Sequence, residues 1–305
     1  MSSAGGRPYE VVVSIGQEQW NGAVGDTLRA VLFEPVPMLN QIEPKFDIAR
    51  VDPSALKDVV LKHRNIMEIK IVPGSGEPQS VARYNMYARP QLILTLTAPT
   101  DSAMVAYLDE NRTAIQYLFE VAERDRAVAN NLKYGEKGID REIFKKFGFD
   151  MNIPRGFSIR SQGDDFMWIG SDNRTTIQGI AIYSYPYSGR ADFLPENLIK
   201  RRNEFMGRIP GPSEGSYMIT GDYLEPEVTY TKIDGRQWAE MHGLWQVAND
   251  FMGGPFVSFS TLDKATDRVV TIDCFVHSPK EHKRNSLHQL EHTVYSVKFP
   301  AAPAE

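Results

Sequence analysis

The chain has 305 residues and a single cysteine, Cys274. One thiol excludes an intrachain disulfide and any zinc site built on cysteine pairs. It says nothing about the redox compartment. Long apolar runs are also missing: no stretch approaches the ~20 residues a helix needs to cross a bilayer. Charge of one sign is not concentrated anywhere. The 34 basic and 39 acidic residues give a formal charge of -5, shared almost evenly between the two halves. Without a basic face, nucleic acid is not expected as a partner. The short patch Lys200-Arg201-Arg202 reads as the solvated end of a helix. There is no internal repeat, no low-complexity segment and no phosphate-cradling loop. Gly74-Ser75-Gly76 follows a strand, but Glu77-Pro78 stands where a helix N-terminus would have to begin.

What is present is a folded chain, 42% hydrophobic and 24% charged, long enough for two cores. The fold class is α+β. Residues 1–148 alternate strand and helix signals and are expected to form an α/β domain with helices on a mixed sheet. Strands are expected over Tyr9 to Ile15, Lys45 to Val51, Asn65 to Val72 and Leu92 to Thr97. Helical spacing runs from Trp20 to Phe33. Asp52-Pro53-Ser54 offers an N-cap with proline next to it, which predicts a helix to about Lys62. One long helix is expected from Asp101 to Gly135, then a short one through Phe147. Residues 149–305 change texture. Turn signals come close together, and the expectation is a mostly antiparallel sheet with helices over Leu194 to Met206 and Leu287 to Tyr295. Asp234-Gly235 is a two-residue hairpin signal. It sets a register in which Ile233 faces Arg236, Thr231 faces Trp238 and Thr229 faces Glu240.

Five of the six histidines lie between Asp234 and Phe299, so polar chemistry is sought there. Arg236, Trp238, Glu240 and His242 share one strand face, a broad ring with polar flanks that suits a ligand platform. The same face can instead pack under a helix, with its charges at the rim. Tyr183, Tyr185 and Tyr187 recur at period two and place three phenols on one face, for a glycan or a protein partner, or as a half-buried rim. His288 and His292 stand four apart on a predicted helix, but the intervening Glu291 lacks the His-Glu-x-x-His placement. With Leu287, Leu290 and Val294 as the buried stripe, His288 and Glu291 are expected near solvent, so no metal and no cofactor is assigned. Alternation puts Cys274 on an apolar face with Val270, Ile272 and Val276, while Asp273 and His277 face away. The thiol then reads as inert core. Gly253-Gly254-Pro255 reads as a bulged strand entry in preference to a ligand approach. Asp164 and Asp165 are neighbours facing apart, an ordinary turn. No catalytic constellation emerges.

Two resemblances extend this. The order of elements from Ile153-Pro154-Arg155-Gly156-Phe157 to Leu290-Glu291-His292-Thr293-Val294-Tyr295-Ser296-Val297 resembles the α/β/α sandwich of PsbP/Mog1-like proteins, mostly non-catalytic accessory and binding proteins. Arg7 to Val13, Trp20 with Gly25-Asp26, Glu43 to Asp47 and Met252 to Phe256 are similar to a family of Bacteroidetes lipoproteins known only as a domain of unknown function. In that family a lipidated cysteine precedes a short Ser/Gly-rich tether, and here Met1 occupies its place before Ser2-Ser3-Ala4-Gly5-Gly6, read as a flexible lead. The resemblance implies a non-enzymatic envelope lipoprotein that binds a protein, small molecule or glycan, touching the membrane only through a lipid absent from this sequence. With Met1 as the native start the protein would be cytoplasmic. Alternatives are a hydrolase using Glu240 and His242 with Asp273 nearby, and a structural subunit assembling through the Tyr183–Tyr187 edge.

Overall fold

The structure, a computed structural model, describes residues 2–172 and 175–300. The chain forms two compact units. The first takes residues up to Val36 with Glu43–Arg126, and the second takes Pro37–Ile42 with the residues from Ala127 on. The division falls about twenty residues before the boundary at 148 read from the sequence. The helix over 137–147 explains the difference, because its apolar face (Ile139, Ile143, Phe147) belongs to a core of the second unit.

The first unit begins with β1 (Ser2–Ser3), β2 (Glu10–Ser14), α1 (Gln17–Asn21), α2 (Ala23–Leu32) and β3 (Asp47–Val51). It continues through β4 (Asn65–Ile71), β5 (Gln79–Tyr84), β6 (Ala88–Arg89), β7 (Leu92–Ala98), α3 (Asp101–Glu110) and α4 (Arg112–Tyr134), whose residues from Ala127 on belong to the second unit. The main sheet has the order β3-β2-β4-β7-β5. Its first four strands run parallel, and β5 joins antiparallel to β7. Val11, Val13, Met67, Leu92, Leu94 and Leu96 pack against Leu28, Val31, Met104, Leu108 and Phe119.

Four expectations are corrected here. The helix expected over Trp20 to Phe33 breaks at Gly22. The long one from Asp101 breaks at Asn111. Asp52 does cap, accepting from the Ser54 backbone N at 3.0 Å, but the chain beyond it makes only two 3-10 turns, Pro53–Ala55 and Val60–Lys62. Finally, the leader is not loose. Ser2 and Ser3 pair with Ala88 and Arg89, the Ala4 N–H donates to the Arg89 carbonyl at 2.9 Å, and the Gly5 N–H donates to Lys62 at 3.0 Å. Gly6, at φ 95°, passes so close to His63 that a Cβ would sit 2.0 Å from its Nε2, so only glycine fits.

The second unit adds α5 (Lys137–Phe147), β8 (Ser158–Gly163), β9 (Phe166–Asp172), β10 (Ile177–Pro186) and α6 (Pro195–Met206). Then come β11 (Tyr217–Thr220), β12 (Glu227–Ile233), β13 (Arg236–Ala248), β14 (Gly253–Asp263), β15 (Arg268–His277) and α7 (Arg284–Val294). These eight strands make one antiparallel sheet ordered β11-β13-β14-β15-β10-β9-β8, with β12 also on β13. Both faces are covered. Val270, Ile272, Cys274 and Val276 join α5 and α7 in one core, whereas Val269 and Phe275 join α6 in the other. The result is a three-layer sandwich, helices outside and sheet inside. The turn between β12 and β13 has positive φ at both Asp234 (50°) and Gly235 (78°), the geometry that matches strand twist. Its register pairs Ile233 with Arg236, Thr231 with Trp238 and Thr229 with Glu240, as the sequence indicated.

Candidate functional site

Strand parity divides the candidate residues between two faces of the second sheet. Trp238 lies in the α5/α7 core, and Arg236, Glu240 and His242 share its strand face. Tyr183 and Tyr185 lie under α6.

The face with α7 holds the polar cluster. His242 Nε2 and Glu240 Oε1 are 2.7 Å apart. On α7, His288 Nδ1 and Glu291 Oε2 are 2.8 Å apart, and the His288 and His292 rings stack at 5.9 Å. Charge ties the strand to the helix. Burial pushes the Glu291 carboxyl up, but the His288 hydrogen bond and the charges of His288, His292 and His242 outweigh it and hold it at about 2. Burial pulls the His242 imidazole down, yet the Glu240 hydrogen bond and the charges of Glu291, Glu240 and Glu227 leave it raised. The solvent-near position expected for His288 and Glu291 is therefore corrected: their side chains are 20% and 14% exposed and pair with each other. His292 is buried too. Spacing alone placed them beside the apolar stripe. It could not show that β13 offers a histidine opposite.

These shifts make stability depend on pH. Glu291 contributes fully above its unfolded value of 4.5, and that contribution is lost as pH falls toward 2. His242 contributes fully below its unfolded value of 6.5 and loses this as pH rises through its raised folded value. The cluster thus holds α7 most firmly between about pH 4.5 and 6.5. Glu291→Gln is expected to cost most in that window and least near pH 2, in denaturant unfolding measured across pH. A stability difference that stays flat from pH 2 to 8 would refute the pairing.

Arg236 and Trp238 do not join this cluster. Trp238 is 2% exposed, with Phe259 at 6.4 Å and Phe299 at 6.5 Å between ring centres. Arg236 lies 3.8 Å over the Phe299 ring and donates to the Leu262 carbonyl at 2.6 Å. Of the two readings of this face, the fold shows Trp238 packed in the core beneath helices and against this chain's own Phe299, and not an open ligand platform. Its indole N–H has no hydrogen-bond partner.

The tyrosines are corrected likewise. Tyr183 and Tyr185 are 1% and 3% exposed, because α6 lies over them. Tyr183 stacks on Phe205 at 4.4 Å, and burial pushes both phenols up. Tyr187 packs on Phe193. Tyr183 and Tyr185 are therefore closed to a glycan or an assembly partner, and Tyr187 is the half-buried rim that was the alternative reading of the sequence.

Asp273 faces away from Glu240 and His242, so it cannot orient that histidine. It is fully buried, and Arg202 of α6 grips it at 2.7 and 3.3 Å. Arg202 also donates to Thr220 Oγ1 at 3.0 Å and lies 3.6 Å over Phe256. It is no solvated helix end, as Lys200-Arg201-Arg202 suggested. Burial raises the Asp273 carboxyl despite Arg202 and a hydrogen bond from Ser258. Cys274 is buried as expected, and desolvation pushes its thiol far above the usual range. Asp165 is taken by Arg208 at 2.6 Å. Asp164 lines a shallow depression of about 550 Å³ with Glu142, Lys145, Lys146, Gln162 and Gly163. Among the described residues, no three of His, Cys, Asp and Glu are placed to hold a metal ion.

These features define an α+β protein of two units, the second a helix-covered antiparallel sandwich with a histidine–carboxylate cluster on one face. The chain belongs to the family described as Domain of unknown function (DUF4837), whose model matches residues 136–296, just over half of it. A second model, Domain of unknown function (DUF8532), matches residues 4–132. The two matches track the two units. No curated protein matches. Similar solved structures include a point mutant of Protein Mog1, with 16% identity over 49% of this chain and 89% of that one and a TM-score of 0.33. The Saccharomyces cerevisiae Ran-binding protein Mog1p gives 15%, 48%, 83% and 0.31. The human StarD13 lipid transfer and protein localization domain gives 11%, 52%, 90% and 0.24. Similarity at these scores carries no functional argument.

Proposed function

We propose that the protein is a non-catalytic binding or accessory module of the cell envelope, a lipoprotein of the Bacteroidetes kind its sequence resembles, held by a lipid ahead of Ser2. Its ligand is a protein, a small molecule or a glycan. The observation that carries the binding role is the cluster of Glu240, His242, His288 and Glu291. Each of the two imidazoles already shares a hydrogen bond with a carboxylate, and all four side chains, though mostly buried, keep 14–25% of their surface exposed. Such a row offers fixed donors and acceptors to a polar ligand. The Cys274 thiol on the same sheet face is buried and protonated, and so gives no nucleophile beside His242.

The anchoring is supported by the resemblance. Met1, where the lipidated cysteine would stand, lies outside the described residues. Metabolic labelling of cells expressing the native reading frame, with an alkyne fatty acid and subsequent fractionation, tests it. The expected result is a labelled protein in the envelope fraction. An unlabelled protein recovered with cytosolic markers sinks the proposal.

A further inference from the structure

Strand β5 ends the sheet of the first unit, and no described strand lies on its outer edge. All six of its residues are exposed. It contains no proline, no bulge and one charge, Arg83, which reaches across to Thr95 Oγ1 at 3.2 Å. The edge β8 of the other sheet is blunted, by a register shift between Ile159 and Ser161 and by Lys146 on its Gly163 carbonyl. An unblunted edge is a template for another strand.

The register tells which backbone groups are free. Asn85 N donates to the Gln91 carbonyl, and Leu92 N donates to Arg64. Odd-numbered residues of β7 therefore bond toward β5, and even-numbered ones bond toward β4. In an antiparallel ladder the bonds alternate, so Gln79, Val81 and Arg83 bond β7 (their partners are Thr97, Thr95 and Ile93). Ser80, Ala82 and Tyr84 then present N–H and C=O groups outward. Among the described residues, no other backbone bond uses these groups.

Those outward groups are complementary to themselves. The geometry points to a second copy of this chain as the occupant, with β5 pairing antiparallel to β5 of the partner about a two-fold axis at Ala82. In that register Ala82 faces its own copy, and Ser80 and Tyr84 face each other. All three outward residues of each strand then exchange bonds. The smallest side chain sits on the axis. Arg83 falls opposite Val81, never opposite the other Arg83, so no like charges meet. Both sheets keep the same face outward, and the pairing closes as a two-fold dimer that cannot propagate.

Sedimentation equilibrium of the full chain over a wide concentration range tests this, together with two variants. The wild type is expected to show a reversible monomer–dimer equilibrium. Ala82→Lys sets two ammonium groups opposite each other on an exposed edge and should weaken the dimer roughly ten-fold or more, with its circular dichroism and melting unchanged. Ala82→Cys should cross-link under mild oxidation, because residues facing each other in a bonded antiparallel pair have Cα atoms about 5.5 Å apart. Val59→Cys, 80% exposed elsewhere on the unit, should not, and the buried Cys274 adds no background. A wild type that stays monomeric at every concentration overturns the proposal and leaves the edge for an extended segment of another protein. A dimer that Ala82→Lys leaves intact, and that Ala82→Cys fails to cross-link, overturns it equally.

Discussion

Arg202→Ala is expected to destabilise the protein by about 3–5 kcal/mol in denaturant unfolding, the cost of breaking a buried ion pair from one side. Both side chains are 0% exposed. The substitution leaves the Asp273 carboxylate without its guanidinium in a site whose burial already raises it, and frees Thr220 Oγ1 and the Phe256 ring. A double variant, Arg202→Met with Asp273→Leu, removes both charges and keeps the volume, so it should recover most of the loss. The contrast separates the lost pair from lost packing. A single-variant cost below about 1 kcal/mol would mean that water reaches the pair.

Gly254→Ala should cost about 3 kcal/mol, the upper end of the range for overpacking a core by one methyl. A Cβ at Gly254 would lie 2.0 Å from the Val276 carbonyl oxygen, and that obstacle is backbone. Trp245, whose indole N–H donates to the same carbonyl at 3.2 Å, would be displaced with it. The neighbouring Gly253 Cβ position meets the Trp245 carbonyl at 2.6 Å. The glycine pair is there so that β13, β14 and β15 can approach around a buried tryptophan, not so that a ligand can. Near-equal melting temperatures for Gly254→Ala and wild type would show that the strands part without penalty.

Local signals were legible in the sequence where one strand or one turn decides the outcome. Asp234-Gly235 fixed a register that the fold reproduces pair for pair, because a two-residue turn leaves no slack. Parity put Cys274 inside and Asp273 on the other face. What parity could not say is what lies over each face. Arg202 and Asp273 are 71 residues apart, and on its own helix Arg202 looks like one of three solvated cations. Tyr183 and Tyr185 look like an open aromatic row until α6 covers them. The strand β5 went unread for the opposite reason: with both faces exposed, Gln79–Tyr84 has no apolar alternation to detect. In the candidate site, Glu240 and His242 were legible as neighbours on one face. Their meeting with His288, Glu291 and His292 depends on where α7 docks, and the spacing of residues within α7 carries no such information.

The leader over 2–6 bears on mechanics as well as on fold. A free chain gains about 3.3–3.6 Å of reach per residue, and five loose residues would let a domain swing well clear of whatever holds its end. Here that slack is consumed by the contacts of Ser2 to Gly5 with Ala88, Arg89, Lys62 and Arg64, and by the close passage of Gly6 past His63. A group joined ahead of Ser2 would therefore act as a rivet and not as a leash. Pulling on it would load the β1–β6 bonds before the rest of the first unit felt the force.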